Sequence, residues 1–252
     1  MSLELAVKRT IGYAKNFKSH INNVEIQKRL ISKKIYPENL IKKEVLKLDW
    51  NNKKNKWKKS KITKAKELAS LIENKFKDII FLGISGSVAA GHPKQNDDID
   101  LLIITRSNTL WKNRFFLRWW IYKNKIPHRK FGQKEIKDQF CFNLWLDEGY
   151  LKIPKNRQNL KNAIDLILLK PLINKNNSYE KLLLKNNWAK KYVATPYVRL
   201  SDGRLVSLSD KIEESNFLKK INNMMYFWPQ YWYMRKKFSG EKVSLYQAFF
   251  QR

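Results

Sequence analysis

Cysteine, histidine and long apolar runs are scarce in this sequence. Cys141 is the only cysteine, so an intramolecular disulfide is excluded and we expect a reducing compartment. No run of about twenty uncharged apolar residues occurs, and the first residues lack the apolar core of a secretion signal. The 3 histidines are scattered and offer no zinc-ligand spacing. These absences predict a cytoplasmic protein.

Basic residues, in contrast, are abundant. The 252 residues include 52 lysines and arginines against 22 aspartates and glutamates, which gives a formal net charge of +30. Such a charge attracts polyanions, and nucleic acid, nucleotides and acidic membrane surfaces are all candidates. However, 41 of the basic residues are lysine, and a compositional bias of the source produces the same balance without any polyanion partner. The charge alone leaves nucleic-acid binding open.

Residues 1–57 are predicted to form a small helical unit. Their apolar residues recur at helical spacing, and Pro37 is a favoured first-turn residue. The basic segment DWNNKKNKWKK follows the third helix. Three small helices and a basic turn are typical of a winged helix-turn-helix, and a plain helical cap on the next domain is the alternative. The predicted helices are Leu3–Lys15, Val24–Ser32 and Pro37–Leu48.

Residues 58–150 are predicted to form a core of strands and helices, and residues 151–252 a helical C-terminal domain. Apolar runs in the core predict three buried strands, and amphipathic segments predict the helices around them. The predicted core elements are helix Lys61–Phe76, strands Ile79–Ser85, Ile99–Thr105 and Phe140–Leu146, and helix Asn108–Lys123. The predicted C-terminal helices are Asn159–Leu169, Tyr179–Lys190, Ser209–Phe238 and Val243–Phe250.

The segment FLGISGSVAAGHPKQNDDIDLLIITR, residues 81–106, concentrates negative charge between two apolar runs. Asp98 and Asp100 lie two positions apart at the start of a strand, so both side chains point to one face. Two carboxylates this close repel each other unless a cation lies between them. Such oxygen ligands suit Mg²⁺ or Mn²⁺, which usually also bind oxygens of a substrate phosphate. For Asp97, which precedes the pair, the predicted role is to cap the loop.

A glycine and a serine follow the first predicted strand directly. The sequence SVAAG after Gly86 predicts one or two turns of helix, with Ser87 near the N-terminus. Backbone N–H groups and a hydroxyl at a helix start form an anion site, and Gly86 lets a phosphate approach the backbone closely. A triphosphate site and a metal site are therefore expected to face each other across neighbouring strands, as two-metal phosphoryl or nucleotidyl transfer requires.

These residues resemble a known signature. The pair Gly86-Ser87, ten intervening residues and the DID triplet at 98–100, set between apolar runs, are similar to the motif of the DNA polymerase beta-type nucleotidyltransferases. The resemblance covers residues 79–147. It implies that Gly86 and Ser87 hold the triphosphate and that the two aspartates bind both metal ions. A chance strand–turn–strand with a solvated acidic loop is the alternative.

The resemblance also implies a third carboxylate on a later strand, which shares one metal and helps to deprotonate the acceptor hydroxyl. Alternation along the third strand puts Asn143, Trp145 and Asp147 on one face, and Phe142, Leu144 and Leu146 on the other. Asp147 is the only carboxylate on this pattern, so it is the predicted third ligand and catalytic residue. If Asn143 is the true equivalent instead, the site has lost its base.

The whole layout resembles a group of uncharacterised bacterial proteins. In these proteins a winged-helix-like segment precedes such a nucleotidyltransferase domain and a helical region follows it. The phrases DDIDLLIIT, FCFNLWLDE and EKVSLYQAFF carry this likeness. It implies no particular substrate.

Two segments mix aromatic and basic residues. LWKNRFFLRWWIYKNK, from residue 110, and MMYFWPQYWYM, from residue 224, have the composition of segments that stack bases or lie on a membrane surface. Packing is the alternative that we favour, with Leu110, Phe115, Leu117 and Trp120 holding the first helix against the sheet. The second segment is expected to pack in the core or between subunits.

Together these patterns predict an α+β protein with a mixed sheet flanked by helices and a nucleotidyltransferase function. The expected reaction moves an NMP from an NTP to an unidentified acceptor, with Mg²⁺ or Mn²⁺ as cofactor and pyrophosphate as product. Two other classes stay open. One is a non-catalytic nucleic-acid-binding module on the same scaffold, and the other is a peripheral membrane or assembly protein.

Overall fold

The computed structural model describes residues 1–17, 21–47, 55–130, 133, 136–201, 217–236, 238 and 240–250. In this part of the chain, helices flank one mixed sheet, so the α+β prediction is confirmed. The helices are α1 (Leu3–Asn16), α2 (Asn23–Lys28), α3 (Glu38–Leu46), α4 (Lys56–Lys75), α5 (Gly86–Ala90), α6 (Leu110–Lys123), α7 (Leu160–Leu168), α8 (Ser178–Lys185), α9 (Lys190–Ser201) and α10 (Phe217–Arg235). The strands are β1 (Ile79–Ile84), β2 (Ile99–Thr105), β3 (Phe140–Asp147), β4 (Lys170–Asn174), β5 (Lys242–Val243) and β6 (Gln247–Phe249).

The six strands lie in the order β4-β1-β2-β3-β6-β5. β2 and β3 are parallel and are joined through the crossover helix α6, whereas the other neighbouring strands are antiparallel. The antiparallel pairing of β1 with β2 places the end of β1 beside the start of β2, because Ile84 pairs with Leu101. This register brings the glycine that follows β1 next to the aspartates that begin β2.

The C-terminal part of the chain is not purely helical. β4 pairs with β1, and the β5–β6 hairpin pairs with β3, so three strands after residue 150 complete the sheet. The prediction of a helix over Val243–Phe250 is therefore wrong. A short apolar run does not distinguish a helix from a strand by its spacing alone. In the structure, Ser244 closes the hairpin by donating its backbone N–H to the Gln247 carbonyl at 2.8 Å.

Apolar cores cover both faces of the sheet. One face packs against α4, α6 and α10 through residues such as Leu68, Leu117 and Phe227. The other face packs against α7, α8 and α9 through residues such as Ile164 and Leu182. Burial on both faces explains why the central strands are nearly continuous apolar runs.

The N-terminal helices α1, α2 and α3 pack around a separate cluster that includes Ala6, Ile26 and Ile41. All three predicted helices are present, although α2 ends at Lys28, before the predicted end at Ser32. Asn22 caps α2 in a reciprocal arrangement with the Glu25 side chain. The turn predicted as a wing falls largely on residues 48–54, outside the described residues. A winged helix therefore stays a prediction.

Candidate active site

A cavity of about 730 Å³ opens where β1 ends and β2 begins. Its walls come from α1, the α5 turn, the middle of β3, α6 and α7. Gly86, Ser87, Asp100 and Asn143 all line it, so the structure brings these four residues into one cavity. Asp98 is almost fully buried directly beside them.

Gly86 lies against Asp100. Its φ angle of +61° is in the left-handed region, and a Cβ at this position would lie 2.2 Å from Asp100 Oδ2. Only glycine fits both conditions without strain. The backbone turn and the acidic strand therefore converge on the same side of the sheet, as the sequence predicts.

The two aspartates of β2 also converge. One carboxylate oxygen each from Asp98 and Asp100, together with Cys141 Sγ, lie within 4.8 Å of one another. Asp100 accepts a hydrogen bond from Asn143 Nδ2. Arg129 contacts Asp98 Oδ2 through Nη1 at 2.8 Å and donates from Nη2 to Asn143 Oδ1 at 3.1 Å. The sequence predicts that a metal ion balances the negative charge of the two aspartates. In the structure the Arg129 guanidinium balances part of that charge.

A β-bulge in β3 changes the predicted alternation. Leu101 pairs with Phe142 and Leu102 with Leu144, so Asn143 is an additional residue in the strand. Phe142 consequently packs in the same core as Trp145, whereas Leu146 packs on the other face. The prediction that Phe142 shares a face with Leu146 is therefore wrong.

Asp147 does not join the two aspartates. It pairs with Thr105 at the far end of β2, about 16 Å from Asp100 at about 3.3 Å per residue. Its Oδ2 accepts the Asn108 backbone N–H at 2.6 Å, and its Oδ1 accepts that of Gly149 at 3.0 Å. Asp147 thus links the turn between β2 and α6 to the turn that follows β3. The residue of β3 that lies beside Asp100 is Asn143.

Asp147 should make the stability of the fold depend on pH. Burial raises the pKa of Asp147 from 3.8 to about 7, and the charge of Glu148 acts in the same direction. The folded protein keeps a proton that the unfolded chain loses, so the free energy of unfolding falls as the pH rises between these values, by up to ~1.4 kcal/mol per unit. Asp147→Asn removes this contribution. We expect its stability deficit against wild type to be smaller at pH 7 than at pH 5 by about 2 kcal/mol in guanidinium unfolding; an equal deficit at both pH values would contradict this.

The loop before β2 is held from both sides. Asp97 Oδ2 accepts the Ser87 hydroxyl at 2.7 Å and the Lys94 backbone N–H at 2.9 Å, so its predicted role in capping the loop is confirmed. The buried Lys61 donates from Nζ to the Asp97 carbonyl at 2.5 Å and to Asp138 Oδ1 at 2.7 Å. The Ser87 hydroxyl is therefore hydrogen-bonded to Asp97, and the Ser87 backbone N–H is the group that it can offer to a phosphate.

Basic side chains from separate elements line the cavity. They outnumber the acidic ones, which favours an anionic ligand. Burial and then the neighbouring charge of Arg29 lower the pKa of His92 to about 4, so this histidine is neutral at neutral pH. The sequence contains no local signal for the basic residues of the cavity, because they come from five different segments. The lining arginines and lysines are Arg29, Lys94, Arg114, Arg118, Arg129, Lys130 and Lys161.

Asp165 brings a further carboxylate to the cavity from α7. Burial raises the pKa of Asp165 to about 6, and the charge of Lys161, one turn away, counteracts this in part. Burial and then Asp165 raise the pKa of the half-buried Tyr13 to about 12. Asp165 is not part of the sequence motif. It lies on an amphipathic helix, where the sequence pattern indicates only a residue of the polar face.

The side chains near Asp100 could supply some of the ligands of a divalent cation, and a substrate would have to supply others. Asp98 and Asp100 offer the carboxylate oxygens that Mg²⁺ or Mn²⁺ prefers. Burial and the charge of Asp100 raise the pKa of the Cys141 thiol, which therefore stays protonated and is a poor ligand for a hard cation. The remaining ligands must come from water and phosphate oxygens, as is usual for Mg²⁺.

No protein-family model, curated protein or solved structure matches this chain. Among the residues that the structure describes, no helix combines the length and the apolar character needed to cross a membrane.

Proposed function

We propose that the protein is a metal-dependent nucleotidyltransferase, which moves an NMP from an NTP to a hydroxyl or phosphate acceptor and releases pyrophosphate. The single observation that carries this proposal is the contact between the side-chain-free Gly86 turn and Asp100 inside a cavity lined by basic residues. The cavity volume of about 730 Å³ lies within the range of about 300–1,000 Å³ that small-molecule sites occupy.

Each part of the cavity has a separate task in binding. Because Gly86 has no side chain, the Asp100 carboxylate lies directly against the turn, so a cation held by Asp100 would lie next to a phosphate bound at that turn. The lining lysines and arginines would balance the triphosphate charge and favour anionic ligands over neutral ones. A divalent cation bound by Asp98 and Asp100 would neutralise charge that develops on the phosphates during transfer. Arg129 and Asn143 fix the orientation of the two carboxylates in advance, which reduces the cost of arranging them on binding.

The acceptor must lose a proton, and Asn143 cannot take it. In the proposed step an acceptor hydroxyl oxygen attacks the α-phosphorus, the bond to the bridging oxygen breaks, and pyrophosphate leaves with that electron pair. We assign the hydroxyl proton to the carboxylate of Asp165, which lines the same cavity. The groups that act on this carboxylate are Lys161 on its own helix and Tyr13 on α1.

Transfer should therefore follow the ionisation of Asp165. With α-³²P-labelled NTPs, Mg²⁺ and cellular RNA, protein and small-molecule fractions as acceptors, we expect labelling by the wild type to rise as the pH passes through about 6. Asp165→Asn should lower the rate by about 100-fold or more and remove this rise, because a general base typically contributes 10²–10⁴-fold. Asp78→Asn, a partly exposed aspartate before β1, is the matched control and should match wild type.

Two results would contradict this proposal. If wild-type protein labels no fraction at any pH, nucleotidyl transfer is not its reaction. If Asp165→Asn keeps both the rate and the pH profile, transfer stands but the proton goes elsewhere.

A second candidate function is a non-catalytic nucleotide- or nucleic-acid-binding module. The observation that favours it is Asn143 in the mid-strand place, with Arg129 already paired to Asp98. This candidate predicts NTP binding that needs no divalent cation and is unaccompanied by transfer.

A further inference from the structure

The outer face of α6 is aromatic. Phe115, Trp119 and Tyr122 recur at spacings of four and three residues, Phe116 is next to the first of them, and all four are exposed. The inner face of the same helix is fully buried through residues such as Leu117. Phe115 was expected to pack against the sheet, and that prediction is wrong, since it is 44% exposed.

The outer face of α10 has the same character. Ile221, Met225, Trp228 and Trp232 form a stripe at helical spacing, and all four are exposed. The buried residues of α10 are Asn223, Phe227 and Met234, which lie on the opposite side of the helix. The sequence predicts packing in the core or between subunits; in the structure this second stripe packs in the core, and Tyr226 and Tyr231 pack partly against it.

Aromatic contacts join the two helices. Tyr226 of α10 contacts Phe115 and Phe116 of α6, with ring centroids 5.3 and 5.4 Å apart. Eight side chains on the two outer faces are between 37% and 73% exposed, which is a large apolar area for a protein surface. We call these eight the aromatic surface: Phe115, Phe116, Trp119, Tyr122, Ile221, Met225, Trp228 and Trp232.

The charge around the aromatic surface has one sign. Neither α6 nor α10 contains an aspartate or glutamate. Lys123 lies over the Trp119 ring at 5.4 Å, and Arg235 lies over the Trp232 ring at 5.2 Å. Lys220 and Lys236 are also exposed on or directly after α10. An occupant of this surface must therefore be both apolar and negatively charged.

We propose that the aromatic surface binds an anionic lipid bilayer at its interfacial region. Trp and Tyr rings flanked by lysine and arginine are the composition that amphipathic helices use at this depth, with the apolar side chains inserted and the cations at the headgroups. A second copy of the chain would bring two like-charged surfaces together, which is unfavourable. Single-stranded nucleic acid stacks on aromatic rings in basic grooves, whereas Ile221 and Met225 present hydrocarbon on an outward helix face. This inference does not depend on nucleotidyl transfer.

Vesicle flotation tests the proposal with the full chain. At about 0.15 M salt, wild-type protein should float with vesicles of phosphatidylglycerol and phosphatidylcholine and bind pure phosphatidylcholine more weakly. Trp228→Ala/Trp232→Ala should lower the partition coefficient by about 100-fold, because each buried aromatic side chain contributes about tenfold or more. Leu46→Ala/Leu71→Ala removes two exposed apolar side chains on α3 and α4 and should float like wild type.

The tryptophan variant keeps the net charge, so it separates insertion from simple attraction of a basic protein. If it floats as well as wild type, the attachment is only electrostatic and the proposal fails. The proposal also fails if wild-type protein does not float. In that case, a dimer in sedimentation that the tryptophan variant abolishes would identify the surface as a subunit interface. Tryptophan-dependent binding of single-stranded RNA would identify it as a nucleic-acid site. Circular dichroism of each variant shows whether the fold is retained.

Discussion

Asp100→Asn is expected to lower the proposed nucleotidyl transfer by about 1,000-fold or more, because the carboxylate would hold the catalytic cation and its loss would remove several kcal/mol of transition-state stabilisation. The substitution keeps the shape of the side chain, and the new amide oxygen can still accept from Asn143. The fold is therefore expected to persist. Transfer from α-labelled NTP, measured with Mg²⁺ beside circular dichroism, checks both statements.

Asp78→Asn serves as the control for this prediction. Asp78 is an aspartate before β1, at the opposite end of the β1–β2 pair, and its partner is Arg106 at 3.9 Å. Its loss removes the same charge without touching the cavity, so transfer should stay within about twofold of wild type. Equal losses in the two variants would show that net charge, rather than the position of Asp100, governs activity.

Gly86→Ala is expected to abolish transfer and to destabilise the fold by about 2 kcal/mol or more, because a positive φ alone costs an alanine about 1–2 kcal/mol. The added Cβ would also meet Asp100 Oδ2 at 2.2 Å. Asp100 must then move away from the turn, which would disrupt the proposed cation site. Thermal unfolding and the labelled-NTP assay measure the two effects.

Gly12→Ala is the matched glycine control. Gly12 lies on the exposed face of α1, where nothing comes within 4 Å of an added Cβ, so alanine should be neutral or slightly stabilising. A second variant, Gly86→Ala/Asp100→Ala, removes the carboxylate that the new methyl group meets. It should recover part of the lost stability, since two residues in contact are not additive. Additive losses would show that the two residues do not meet.

The sequence is sufficient to predict the fold where a local pattern decides it. The apolar runs of β1, β2 and β3 predict a buried sheet, and the two-residue spacing of Asp98 and Asp100 predicts that their side chains converge, as the structure shows. Gly86 beside the acids also follows from local order, since β1 and β2 form neighbouring antiparallel strands. These features depend on short-range periodicity and on one strand pairing.

Features that depend on long-range packing are not visible in the sequence. The bulge at Asn143 shifts the β3 register by one residue, and no sequence pattern marks it. Arg129 and Asp165 reach the cavity from segments that do not include the Gly86-Ser87 pair or the DID triplet, so only the folded chain places them there. The apolar spacing of Val243–Phe250 predicts a helix, but in the structure β6 of this segment pairs with the edge of β3.

The exposed faces of α6 and α10 also depend on long-range packing and were therefore not predictable from the sequence. Apolar spacing shows that a helix has an apolar stripe, but these helices carry apolar residues on both sides. Which side packs inward depends on the neighbouring helix, and α6 packs through Trp111, whose backbone N–H donates to Asn223 of α10 at 2.7 Å. The opposite side is left with its aromatic residues exposed.

The affinity for ATP with Mg²⁺ and with EDTA, measured by calorimetry on wild type and Asp100→Asn, tests most directly whether a cation-bound triphosphate lies between Asp100 and Gly86. Wild type should bind at least about tenfold more tightly with Mg²⁺, and Asp100→Asn should lose this difference. Equal affinities in both conditions for both proteins would contradict the account and leave a basic cavity that binds anions without a metal.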